Sequence, residues 1–257
     1  MRTVRRLGRG APPSVRAVAV CLALGIGGWV FGMVASLLTV GHFWLLGYST
    51  QTADEIGLSV AFNVVGAGGT AFAYLVYRRN GVDWPFIVSF LRLRRPRLAD
   101  VGWVVIGLVG AFVVLMGVNA LVELLDPFAT DGEGETHSGI EEGRDYPVLF
   151  LIGIPLAILL TGPGEELLFR GVIQSRLKES VPTVLAVLGA GLVFGVVHFP
   201  AYMGNDLGQV LVSVTTVTAL GLYFGVLYEV TNTLTVPALV HGCFNAVVYL
   251  LNYLSYA

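Results

Sequence analysis

Charge is scarce in this chain. Only 12% of its 257 residues are Asp, Glu, Lys or Arg, about half the usual share of a soluble domain, and so little polar surface cannot clothe a water-soluble globule. Cysteine is rarer still. Cys21 and Cys243, its only two, fall inside apolar runs where no disulfide is expected, and neither reports a redox compartment. Lysine is reduced to Lys178 among 15 basic residues. No repeat of fixed period is visible. There is no Gly-x-Ser-x-Gly elbow and no His-Glu-x-x-His pair, so neither a serine nucleophile nor that zinc-protease helix is indicated.

What is abundant is apolar length. Hydrophobic residues make up 55% of the chain, the mean hydropathy is +0.78, and runs of about 20 residues, enough for a helix to cross a bilayer, recur throughout. The pattern predicts an all-α, polytopic transmembrane helix bundle in one integral membrane domain, residues 1–257. Its seven spans lie at 17–40, 57–77, 100–125, 147–177, 183–203, 207–228 and 234–254, or eight if Gly162-Pro163-Gly164 breaks the fourth. The first run is too long for a signal-peptide core and is kept as a span. Small-residue clusters at Gly25-Ile26-Gly27-Gly28 and Gly66-Ala67-Gly68-Gly69 fit close helix packing.

Orientation follows the arginines. Arg2, Arg5, Arg6, Arg9 and Arg16 precede the first span, and Arg78, Arg79, Arg92, Arg94, Arg95 and Arg97 lie between the second and third. Both segments are therefore expected in the cytoplasm, with the N-terminus. Residues 78–99 read as a basic cytoplasmic loop with an interfacial segment near Trp84-Pro85-Phe86-Ile87. Residues 126–146, with Asp131, Glu133, Glu135, Glu141, Glu142 and Asp145, read as a solvated acidic loop outside. The inner arginines suit membrane-lipid headgroups rather than nucleic acid. The expected location is the cell membrane, as a multi-pass protein.

Against this background three ionisable side chains stand inside one span, in the stretch GPGEELLFRG from Gly162 to Gly171. On a helix Glu166 and Arg170 are four apart and about 40° around the axis, so their heads can meet, whereas Glu165 is turned about 100° from Glu166. The arginine can neutralise one carboxylate and leave the other free. A proline-started helix with glutamates at its N-terminal dipole would be the structural explanation. Two further spans weaken it, because Phe194 and His198 form an i, i+4 pair on one and His241 and Asn245 another on the last. Counted from the cytoplasmic span ends at about 1.5 Å per residue, Glu165 lies about 18 Å deep, His198 about 22 Å and His241 about 12 Å. One shared polar cavity accounts for all three. His42 and His137 are at a span end and in a loop, and no role is assigned to them.

Glu-Glu-x-x-x-Arg, Phe-x-x-x-His and His-x-x-x-Asn, in that order on three late spans, resemble the type II CAAX prenyl protease family, also called CPBP or Abi intramembrane proteases. The resemblance covers about residues 147–250, including the approach Tyr228-Glu229-Val230-Thr231-Asn232-Thr233-Leu234 with Pro237. The first three spans carry no signature of it. It implies an intramembrane endopeptidase whose catalytic core is that region. Glu165 would be the base that activates water, His198 would orient that water, and His241 and Asn245 would stabilise the oxyanion. Glu166, Arg170 and Phe194 would be supporting residues. The substrate would be a membrane-associated protein or peptide, prenylated or not, and no cofactor is expected. Two other readings use the same residues. Glu165, His198 and His241 could ligate zinc with one position open for water, and mid-membrane Glu, His and Arg could serve a proton-coupled transporter, though no inverted repeat is visible.

Overall fold

The computed structural model describes residues 12–47, 51–125, 145–203 and 206–257, with backbone alone for 51–53. Arg2, Arg5, Arg6, Arg9, His137, Arg144 and the acidic loop from 126 to 144 lie outside them. Among the described residues there is no strand. Seven helices are long and apolar enough to span a membrane: α1 Pro13–Leu45, α2 Asp54–Arg79, α4 Leu98–Leu125, α5 Val148–Lys178, α6 Thr183–Tyr202, α7 Leu207–Thr231 and α8 Thr235–Tyr256. A short α3, Trp84–Phe90, follows α2 where the interfacial segment is expected. The protein is a multi-pass membrane bundle. Exposed Leu38, Met116, Leu124 and Leu159 cover its outside with hydrocarbon, as a lipid solvent requires.

Helix ends are set by local chemistry. Asp83 accepts from the Phe86 N–H at 3.1 Å and starts α3. That bond first, with the Arg79 guanidinium beside it, holds the Asp83 carboxyl below its ordinary value. Asp206 accepts from the Gln209 N–H at 3.0 Å and starts α7. Asn80 and Asn232 end α2 and α7 in the left-handed region at φ 53° and 49°, which asparagine tolerates better than most residues.

The fourth span is one helix, not two. Instead of breaking at Gly162-Pro163-Gly164, α5 runs on for 31 residues. Wider π-type turns at Ala157–Thr161 and Leu167–Gln174 flank that stretch. Pro163 cannot donate to the preceding turn and its ring crowds the carbonyl there, and a widened turn relieves both. The glycines serve close approach. A Cβ on Gly162 would stand 2.4 Å from the Ala238 carbonyl oxygen and 2.6 Å from the Gly242 nitrogen, and one on Gly164 would stand 2.5 Å from the Asn63 carbonyl oxygen. So α5 touches α8 on one side and α2 on the other, backbone against backbone. The expected clusters divide: Gly28 and Gly66 make such a contact between α1 and α2, with 2.7 Å for a Cβ on Gly66, while Gly27 faces open space.

Ion pairs tie one end of the bundle together. Arg78 reaches Glu179 at 2.7 Å and Arg92 reaches Glu229 at 3.2 Å, with Lys178 also on Glu229. Arg94 holds Asp100 at 2.7 Å and donates to the Thr231 carbonyl at 3.3 Å. The last residues of α2, α5 and α7 and the loop before α4 thus form a basic end. At the opposite end, rich in acids, the Phe150 ring meets the rings of Tyr249 and Tyr256, each at 6.3 Å.

Candidate active site

Glu166 and Arg170 project from α5 into the middle of the bundle, and both side chains are 0% exposed. The Arg170 Nη1 donates to Glu166 Oε1 at 2.7 Å and its Nη2 to the Gly221 carbonyl of α7, also at 2.7 Å. The guanidinium carbon lies over two rings, 4.6 Å from the centroid of Phe194 and 5.5 Å from that of Phe224. A buried cation is tolerable in such a place because a carboxylate, a carbonyl and two π faces replace its water. Phe194 itself is braced edge-on by Phe169 at 4.8 Å.

Glu165 takes a different course. Turned away from the ion pair, its Oε2 is buried without a hydrogen-bond partner among the described residues. Two imidazoles face it. His198 Nε2 is 3.5 Å away and His241 Nε2 is 4.0 Å away. What the other ring nitrogens do decides their tautomers. His198 Nδ1 lies 2.7 Å from the Phe194 carbonyl, which only accepts, so Nδ1 carries a proton. His241 Nδ1 lies 3.0 Å from Glu166 Oε1. That carboxylate is already paired with Arg170, so here too Nδ1 is the donor. In a neutral ring, each Nε2 then presents a lone pair toward Glu165.

The structure brings together Glu165, Glu166, Arg170, Phe194, His198 and His241 from α5, α6 and α8. Asn245 is half-buried one turn beyond His241 on α8, on the same face. Sequence reasoning missed Phe224, whose ring stacks on His241 at 4.8 Å and 22°. An apolar residue in an apolar span gives no signal. It also missed a second polar tier one turn below Arg170. Gln174, 0% exposed, donates to the Gly225 carbonyl at 3.1 Å and to Glu229 at 2.8 Å. Here a signal existed, since Gln174 follows Arg170 by four and Glu229 is an acid directly at the end of the expected span 207–228.

Among the described residues, no three of His, Cys, Asp and Glu are arranged so that they could hold a metal ion. Cys243, between His241 and Asn245 in sequence, takes no part in the cluster described above. The model of one family, described as type II CAAX prenyl endopeptidase Rce1-like, matches residues 147–247. No curated protein and no solved structure matches the chain.

Proposed function

We propose, from the premise that residues 147–247 are a domain of the type II CAAX prenyl endopeptidase Rce1-like family, that this protein hydrolyses a peptide bond within the membrane, using a water activated by Glu165. A family of that kind brings a protein substrate and a membrane setting with it. The observation that carries the reading is the convergence of the unpartnered Glu165 Oε2 with His198 Nε2 at 3.5 Å and His241 Nε2 at 4.0 Å. A water on the common face of these atoms is within reach of all three.

The roles follow from the hydrogen-bond inventory. Glu165 takes a proton from the water as its oxygen bonds to the scissile carbonyl carbon, and His198 Nε2 accepts the second water hydrogen and aims the attack. The carbonyl oxygen becomes an oxyanion, which Asn245 and His241 receive. For His241 to donate from Nε2, both ring nitrogens must carry hydrogen, Nδ1 donating to Glu166 Oε1. Collapse breaks the C–N bond, and Glu165 returns its proton to the leaving amine. Arg170, packed over the rings of Phe194 and Phe224, holds the Glu166 carboxylate in place. The substrate class is a membrane-associated protein or peptide, prenylated or not.

The test is cleavage of membrane-associated peptides by purified protein beside Glu165→Gln. Removing the base should cut kcat by about 10²–10⁴-fold while thermal unfolding of the variant stays at the wild-type temperature. An unchanged rate would sink the assignment, and proton-coupled uptake without any peptide cleavage would decide for a transporter.

A further inference from the structure

Polar contacts between α5 and α7 follow one spacing. Arg170 donates to the Gly221 carbonyl at 2.7 Å, Gln174 to the Gly225 carbonyl at 3.1 Å and Lys178 to Glu229 Oε2, and in each pair the partners are 51 residues apart. Every fourth residue of α5 thus meets every fourth residue of α7, in three rungs that run from the site to the basic end. Two parallel helices lying in register produce this pattern, since side chains four apart share a face. Gln174 Nε2 also reaches Glu229 Oε1 at 2.8 Å, which joins the second rung to the third.

The rungs differ in what they specify. The first two end on backbone carbonyls of α7, and a carbonyl recurs at every turn of any helix. If α7 slid by four residues, about 6 Å at 1.5 Å per residue, Arg170 and Gln174 would still meet carbonyls, those of Val217 and Gly221 or of Gly225 and Glu229. The third rung has no such copy, because Glu229 is the only charged side chain in Leu207–Thr231. Lys178 would then face Gly225 or Thr233, neither of which carries a carboxylate. Arg92, in the loop before α4, adds a second cation to Glu229 at 3.2 Å. Its backbone stands in the left-handed region at φ 52°, where a Cβ is disfavoured and glycine is the usual residue after a helix. The arginine side chain gives that position its use: it grips Glu229 and lies 4.4 Å over the ring of Tyr228.

Register decides what the site is made of. Phe224 of α7 stacks on His241 at 4.8 Å, and the Gly221 carbonyl holds Arg170, which holds Glu166. Slid by four residues, α7 would offer Leu220 or Tyr228 to His241 instead. We infer that Glu229 is a positioning residue of the site. From about 12 Å along α7 from Gly221, it selects the one register that puts Phe224 on His241 and the Gly221 carbonyl on Arg170. Fixing how two helices align is the best-attested use of a polar residue set between them. The effect on rate rests on the proteolytic reading above; the register does not.

The test measures register and rate in the same variants. In protein carrying Cys21→Ala and Cys243→Ala, spin labels on Leu159→Cys of α5 and Val226→Cys of α7, both exposed, report the axial offset of the two helices through their separation. Glu229→Ala frees Arg92 and Lys178, which are 21% and 24% exposed and can hydrate; should it fail to fold, Arg92→Met with Lys178→Met breaks the same rung from the other side. Loss of the rung should add a population of label distances displaced by up to about 5.4 Å, one helical turn. In peptide cleavage kcat should fall about 10²-fold through misplacement at the reacting centre, with KM within about twofold of wild type. Glu229→Asp, which keeps the charge, should restore the wild-type distance and most of kcat. Arg79→Ala, which breaks an exposed pair with Asp83 at the same end, should change neither. An unshifted distance after loss of the rung overturns the inference whatever the rate does. A displaced distance with wild-type kcat, or a loss through KM alone, overturns the positioning role. If wild type cleaves no peptide, the proteolytic reading fails and the distances still decide whether Glu229 sets the register.

Discussion

Arg170 does work that a lysine could not. Its planar fork reaches Glu166 and the Gly221 carbonyl at once while its carbon lies over two aromatic rings, and an ammonium offers neither the fork nor the planar cation. Breaking the pair from one side strands the other charge in a dry interior. Arg170→Ala should therefore lower stability by about 3–5 kcal/mol, measured as thermal unfolding in detergent. Glu166→Gln combined with Arg170→Met should cost less than Arg170→Ala, and strictly additive effects would argue against coupling. At Asn245 the two hydrolytic readings part. If its amide donates to an oxyanion, Asn245→Asp places an acceptor where negative charge develops and should lower kcat by about 10²–10³-fold, and a strong chelator should leave wild-type activity unchanged. Full loss on chelation with rescue by added zinc, stoichiometric zinc in the protein and an active Asn245→Asp variant would together decide for a metalloenzyme ligated by Glu165, His198 and His241.

At the scale of elements, the site depends on how closely α5 and α8 approach. Gly162 and Gly242 let the two backbones touch, and that contact sets the 3.0 Å between Glu166 and His241 Nδ1. Gly162→Ala forces the helices apart or twists them. The expected cost is about 1–3 kcal/mol, as for other overpacked interiors, together with loss of most peptide cleavage, since distance at the reacting centre is the steepest determinant of rate. Gly27→Ala and Gly117→Ala, with nothing within 4 Å of the added carbon, should leave both melting temperature and activity at wild-type values. Equal damage at Gly162 and Gly27 would show that helix propensity, not close packing, governs these glycines.

For the whole molecule, the ion pairs of α2, α5 and α7 with the loop before α4 make one end a cross-linked basic plate. In intact cells that end should face the cytoplasm. An impermeant maleimide should label Met203→Cys, an exposed residue at the acidic end, and reach Arg95→Cys only after the membrane is permeabilised. The reverse pattern would invert the topology.

The sequence by itself determined the solvent, the helices and the polar positions. Hydropathy is additive along the chain and backbone satisfaction in lipid leaves a helix as the only choice for an apolar run, so all seven spans were legible to within a few residues. The Glu166–Arg170 contact was legible too, because i, i+4 neighbours meet through the geometry of one helix. Contacts between helices carry no such local rule. That Gly162-Pro163-Gly164 is a packing surface and not a break depends on what lies opposite, Gly242 and Asn63, far away in sequence. The stacking of Phe224 on His241, the tier of Gln174 and Glu229, and the lone carboxylate of Glu165 before two imidazoles likewise arise where three or four spans meet. Spacing along a helix sets which side chains share a face, and only the tertiary structure decides which faces meet.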